Sequence, residues 1–456
     1  MRPWTVRRAR ESFNRWVPPG ALLLTTLTLA SYITGLVRDR AFARTFGAGA
    51  DLDAYNAAFV LPELLLDVLV ASGLTAPFVP IYARLAGRAQ AEAEVFGRTI
   101  VTAATTLMIA VSVLLFIIAP ATTAFIAPGF TGAQAERYTE LFRLMCITPG
   151  LFAASIGLGE LLIAERRFAW YALAPILYNA GIVIGTAAFG ESLGIRAAAL
   201  GTVAGAGAHL GIRIIGISRT RIRLRPAFAL RTAEVREFVR LMIPKMLAHP
   251  VEPLIFLFFT QLATTLGHGA VSSISFARNF QSVPVSLIGV AFSLAVFPTL
   301  SAAAGVGDRI AFSRTLKTNI AVIGALSVVA AIGLAIVGGS AVRILLGGGA
   351  FDEAAALRTT TLLTVFAISV PFDALAHPLA RAFYATRNTL WPVGASLASL
   401  GVIVGGTTAL VPLLGILAIP AGFAAGAAVK VLILGLALPS RLHRLHPEGE
   451  LARPRD

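Results

Sequence analysis

The chain alternates long apolar runs with short polar joins. Each run is continuous over roughly 20 residues, the length an α-helix needs to cross a bilayer, and about twelve of them follow one another. They are Val17–Val37, Ala54–Pro80, Thr99–Ala121, Tyr138–Ile163, Phe168–Gly190 and Gly194–Ile217 in the first half. The second half has Leu241–Leu266, Gly269–Leu300, Asn319–Gly339, Thr359–Phe383, Thr389–Leu413 and Gly415–Leu438. Strands of an outer-membrane barrel alternate in hydrophobicity over about ten residues, so unbroken runs exclude that architecture. The pattern predicts an all-α polytopic membrane protein.

The order of the runs repeats. TPGLFAASIGLGELLIAERRFAWYALAP around the fourth is echoed by SVPFDALAHPLARAFYATRNTLWP around the tenth, so Pro149, Trp170 and Pro175 find counterparts near Pro371, Trp391 and Pro392. The second and eighth runs end in FVPIYARLAG and VFPTLSAAAG. Six runs per half in like orientation predict two six-helix lobes related by a parallel repeat about an axis along the membrane normal. The boundaries expected are a basic N-terminus at 1–16, a lobe at 17–217, a basic linker at 218–240, a second lobe at 241–438 and a polar tail at 439–456.

Composition agrees: 57% of the 456 residues are hydrophobic and only 13% charged. A net charge of +15 could suggest nucleic acid, but the arginines cluster in alternate joins, the positive-inside pattern of a membrane chain. That pattern places both termini in the cytoplasm and no nucleic acid among the partners. The first apolar run lacks a small-residue cleavage site and is expected to be a retained helix. One outer join, with Arg38, Arg40 and Arg44, breaks the rule, and its arginines are candidates for something other than topology. The linker arginines set topology and attract anionic cytoplasmic lipid, or bind a protein. The single cysteine, Cys146, sits in an apolar run as a buried hydrophobe, so no cysteine-built metal site is expected.

Charged residues inside spans are costly and mark function or pairing. Those noted are Glu63, Asp67, Arg143, Glu160, Lys245, His249, Glu252, Arg278, Asp373, His377 and Arg381, with Arg38 and Asp39 at the outer end of the first run. Arg278 is the sharpest. It lies nine residues into the eighth run, roughly 14 Å deep at a helical rise, beside Asn279 and Gln281. Either it contacts substrate, or it pairs with Glu63, Asp67 or Glu252. Arg38 and Asp39 are neighbours, which predicts that they point apart and do not pair. Asp53 reads as an N-cap of its own helix or as a polar group of a site. Prolines 244, 250 and 253 interrupt the run that carries Lys245, His249 and Glu252, which predicts a broken helix. Glu63, Asp67, Glu252, His249 and Asp373 are the candidates for ion or proton coupling. No phosphate-binding loop, zinc motif or paired cysteine is present, so neither a cofactor nor an enzyme is expected. Uphill transport would then draw on an ion gradient or the membrane potential, worth about 2.3 kcal/mol per charge per 100 mV.

Three stretches carry a family resemblance: GLVRDRAFARTFGAGADLDAYNAAFVLP with GLTAPFVP, then GAVSSISFARNFQSVPVSLIGVAFSLAVFPTLS, then RAFYATRNTLWP. They resemble the MurJ (MviN) lipid II flippases of the multidrug/oligosaccharidyl-lipid/polysaccharide exporter superfamily. The resemblance implies two six-helix lobes around a central cationic cavity that opens alternately to either side of the cytoplasmic membrane. It implies that Arg38 and Arg278 hold the diphosphate of a lipid-linked glycan, with Asp39, Asp53 and Asn279 in the same binding set. Membrane lipids and cell-envelope synthesis proteins are the other candidate partners. Alternatives left open are a flippase for another lipid-linked oligosaccharide, a multidrug-extrusion-type antiporter, and a non-transporting envelope scaffold.

Overall fold

The computed structural model describes residues 21–248 and 250–442, and among these, helices occupy each of the twelve expected runs. No β-strand occurs among the described residues; an isolated bridge joins Gly348 and Phe351. Eight helices there are long and apolar enough to cross a membrane, or nine if one bent pair is taken as one span. The chain divides into two compact units: Ala54–Pro253 with the chain up to Phe46, and Leu254 onward with the short segment Gly47–Asp53.

The first unit contains α1 (Ala21–Phe46), most of α2 (Ala50–Leu66), α3 (Ser72–Ala86), α4 (Gln90–Ile126), α5 (Gly132–Met145), α6 (Thr148–Ala164), α7 (Phe168–Leu193), α8 (Ile195–Ser218) and α9 (Ala233–Ala248). Its core gathers Phe78, Tyr82, Phe96, Ile100, Leu161 and Phe238. The closest packing joins α7 and α8, where Gly181 and Gly185 face Gly201 and Gly205. A Cβ on Gly181 would come within 2.5 Å of the Gly205 Cα, so the backbones touch, the small-residue contact that helices use where hydrophobic driving force between them is absent.

The second unit contains α10 (Val251–Thr264, whose first turn crosses the boundary), α11 (Ala270–Pro284), α12 (Ala291–Gly305), α13 (Arg309–Leu346), α14 (Glu353–Ala367), α15 (Val370–Ala385), α16 (Leu390–Leu414) and α17 (Ala418–Leu442). Leu300, Phe312, Leu316, Phe383, Ala395 and Leu434 form a core cluster there. The break expected near Pro250 is present, between α9 and α10.

The repeat read from the sequence reaches backbone detail. In each unit a π-helical turn interrupts the same helix, Asp67–Ala71 between α2 and α3 and Val285–Val290 between α11 and α12. After α6 and α15 the chain turns on a left-handed arginine, Arg166 at φ 56° and Arg387 at φ 53°. The next amide in each case, Arg167 or Asn388, donates to a carbonyl five residues back, at 2.7 and 2.9 Å, the Schellman closure of a helix end. Gly194 and Gly415 make matching left-handed joints before α8 and α17, at φ 57° and 54°.

Candidate functional site

Two clusters of buried and half-buried polar side chains gather many of the residues singled out above, one in each unit. In the first, Arg38 projects from α1 and donates through Nη1 to Asn179 Oδ1 of α7 at 3.2 Å. Its Nε and Nη2 both donate to Asp39 Oδ1, at 3.1 and 2.9 Å. The expectation that adjacent Arg38 and Asp39 cannot pair is therefore wrong. The rule rests on Cβ directions; an arginine stem is long enough to fold back on its neighbour, and Asp39, 6% exposed, needs that cation. Tyr55 on α2 stands nearby and shares a 2.7 Å hydrogen bond with Thr202 of α8. Glu63 lies in the electrostatic field of both Arg38 and Asp67. Glu63 is exposed, and half-buried Asp67 opens the π turn.

In the second cluster Arg278, on α11, is 9% exposed. Its Nη1 donates to Gln281 one turn on and reaches Asp373 Oδ2 of α15 at 3.4 Å. Gln281 Nε2 donates in turn to Ser369 Oγ at 3.1 Å and to the same Asp373 oxygen at 3.3 Å. The guanidinium lies over the ring of Phe423, 4.4 Å from its centroid, and near Phe256 at 5.7 Å, contacts that suit a weakly hydrated cation. The carboxylate seen against Arg278 is Asp373, 95 residues away, a partner that the sequence did not offer. Asp373 sits in the first turn of α15, where the helix dipole favours an anion. Asn279 is half-buried beside Arg278, Glu252 is exposed at the start of α10, and His249 lies outside the described residues.

Asp53 belongs to neither cluster. Its side chain is buried, 1% exposed, and it accepts from the backbone amides of Gly269 at 2.6 Å and Ser272 at 2.7 Å and from the Ser272 hydroxyl. It caps α11, whose N-cap Gly269 lies 216 residues later in the chain, and supplies the acceptor that a glycine without a side chain cannot.

Sequence reasoning passed over several members. Asn179 and Ser369 are uncharged and were not weighed, although a lone amide in an apolar run is itself a signal. Two titratable residues inside the sixth run were also missed. Arg213 of α8 donates to the Ser155 carbonyl of α6 at 2.6 Å and packs on Tyr171 at 4.8 Å. His209 shares a 2.7 Å hydrogen bond between Nδ1 and Ser155 Oγ. These ties hold α6 to α8 inside the first unit.

Each cluster presents one arginine whose donors are held by a carboxylate and a side-chain amide. Such an arrangement gives each cation a carboxylate while leaving a planar fork able to exchange that carboxylate for a phosphate. No group of three or more metal-binding side chains occurs among the described residues.

The family model for the lipid II flippase MurJ matches residues 42–452. A probable lipid II flippase MurJ from Thermotoga maritima is 29% identical over 391 residues, 83% of this chain and 78% of the relative. The lipid II flippase MurJ of Burkholderia cenocepacia is 26% identical over 432 residues, 92% of this chain and 83% of the relative. Among solved structures, a lipid II flippase MurJ in an inward closed conformation superposes with TM-score 0.79 at 21% identity, covering 93% of this chain and 90% of that one. An inward-facing multidrug resistance MATE family transporter of the MOP superfamily gives TM-score 0.77 at 14% identity, covering 93% and 96%. At these identities the two structures speak to the fold.

Proposed function

Because the chain belongs to the lipid II flippase MurJ family, we propose that it moves a polyprenyl-diphosphate-linked peptidoglycan precursor across the cytoplasmic membrane by alternating access. It is a multi-pass membrane transporter of that family and not an enzyme. In this proposal Arg278 is a diphosphate-holding cation and Arg38 is its counterpart in the first unit. Asp39 and Asn179 position Arg38, Asn279 flanks Arg278, and Asp53 fixes the helix that carries Arg278. Both termini face the cytoplasm, as the arginine-rich joins require.

The observation that carries the proposal is the Arg278–Asp373 pair. At 3.4 Å it is longer than the roughly 2.8 Å of a well-formed charge-assisted bond. A diphosphate brings more charge and offers two oxygens to the guanidinium fork, so it competes well for those donors. Engagement of substrate would release Asp373, which then takes up a proton or cation. That exchange is the proposed link to an ion gradient or to the membrane potential, with Glu63, Asp67, Glu252 and His249 as further candidates.

The test is translocation of a lipid-linked diphosphate by purified protein in liposomes. Arg278→Ala should abolish it while insertion and size-exclusion behaviour stay unchanged. Arg278→Lys, which keeps the charge and loses the fork, should retain a small part. Translocation by Arg278→Ala at the unaltered rate would refute the assignment.

A further inference from the structure

Arg143 takes no part in either cluster. It lies on α5, the first half of the candidate span Gly132–Ala164, and its side chain is exposed. Centring that span on a hydrocarbon layer about 30 Å thick puts Arg143 roughly 7.5 Å from the midplane. An exposed arginine at that depth costs several kcal/mol unless its head group reaches phosphate or water. Among the described residues it makes no ion pair; its contact is the ring face of Phe116 on α4, 5.5 Å from the centroid.

The side chain opens into a groove of about 720 Å³ between α4 and α5. Glu136 and Glu140 line one end, and Phe116, Leu144 and Ile147 continue it along the helices. Phe116 and Ile147 are each 49% exposed, so the apolar floor runs out onto the lipid-facing surface. Glu140 already pairs with Arg196 of α8, at 3.0 Å from Nη2, and its charge is balanced there. One cation and one carboxylate remain to face the groove, Arg143 and Glu136. They are two helical turns apart on the same face of α5, Glu136 toward the helix start and Arg143 deeper. The arginine stem leans back toward the N-terminus and shortens the gap.

We propose that this groove holds one zwitterionic, amine-bearing phospholipid of the phosphatidylethanolamine class. Its phosphate sits on Arg143, its ammonium on Glu136, and an acyl chain runs along Phe116, Leu144 and Ile147. Charge and hydrogen bonding decide among lipids, since a quaternary ammonium has no N–H to give the Glu136 carboxylate. In such a head group the ammonium lies beyond the phosphate, in the order that Glu136 and Arg143 take along the helix. An anionic phospholipid without the ammonium leaves Glu136 facing a phosphate, and a polyprenyl diphosphate brings still more negative charge against that carboxylate. The site is therefore distinct from the one proposed for the transported lipid.

Native mass spectrometry of the full-length protein tests this, after equilibration with phosphatidylethanolamine, phosphatidylglycerol, phosphatidylcholine or a polyprenyl diphosphate. One retained phosphatidylethanolamine is expected per chain, in preference to the other three. Arg143→Gln should reduce that adduct about tenfold, the loss of one charge-assisted contact, whereas Arg143→Lys should keep it. Glu136→Gln should raise phosphatidylglycerol to the level of phosphatidylethanolamine, and Phe116→Ala, which leaves the charges in place, should weaken every adduct alike. Equal retention of phosphatidylethanolamine and phosphatidylglycerol by the unaltered protein would overturn the proposal. So would an unchanged adduct in Arg143→Gln, or an Arg143-dependent preference for the polyprenyl diphosphate.

Discussion

Removing the Asp53 carboxylate strips the start of α11 of its acceptor. The amides of Gly269 and Ser272 donate to it at 2.6 and 2.7 Å in a site 1% exposed, so water does not replace it without local opening. A bond to a charged acceptor contributes about 1.5–3 kcal/mol net. Two such amides put the cost of Asp53→Ala at about 3 kcal/mol with the lower value, well above the roughly 1 kcal/mol of an ordinary surface cap. Asp53→Asn keeps one acceptor oxygen and turns an NH₂ toward a donor, so it should cost about half as much. Hydrogen exchange in lipid nanodiscs reads the effect directly. Amides over Gly269–Ser272 should exchange about 100-fold faster in Asp53→Ala, the factor that 3 kcal/mol implies if they exchange by local opening. Unchanged exchange there would refute the capping argument. A loss of affinity for a lipid-linked diphosphate in Asp53→Asn, with exchange undisturbed, would instead place the carboxylate on the substrate.

The packing of α7 on α8 predicts that Gly201→Leu lowers the melting temperature in detergent, since a Cβ there lies 2.8 Å from the Gly181 carbonyl oxygen; overpacking of this kind costs about 1–3 kcal/mol. Asn179→Ala should free one Arg38 donor and weaken binding of a lipid-linked diphosphate by about tenfold or less if Arg38 grips it, as titration calorimetry would show. Asn179→Asp should weaken it further, because a second carboxylate then competes for the same guanidinium.

The helices and the repeat were legible because both are written in local pattern. Length and hydrophobicity mark each run, and prolines 149 and 371 mark the breaks that separate α5 from α6 and α14 from α15. Arg278 was found because a charge in hydrocarbon stands out. Its partner was not, since Asp373 is one of several carboxylates in apolar runs and only tertiary structure selects among them. Asp53 shows the same limit: its local sequence favours a cap of its own helix, whereas the helix it caps has its N-cap, Gly269, 216 residues on. Arg38 and Asp39 failed for another reason, a Cβ rule applied to a side chain longer than the rule assumes.

The π turns at Asp67–Ala71 and Val285–Val290 have a consequence for engineering. A π turn stores one surplus residue in an otherwise α-helical rod, while the segments on either side keep their facing. Deleting Leu69, or Leu287 in the second unit, should therefore regularise the rod without re-aiming Glu63 or Arg278. Each deletion isolates the bend from the side chains it joins. A single-residue deletion, usually the harshest change a helix can suffer, becomes the gentle way to ask whether transport needs that bend to flex.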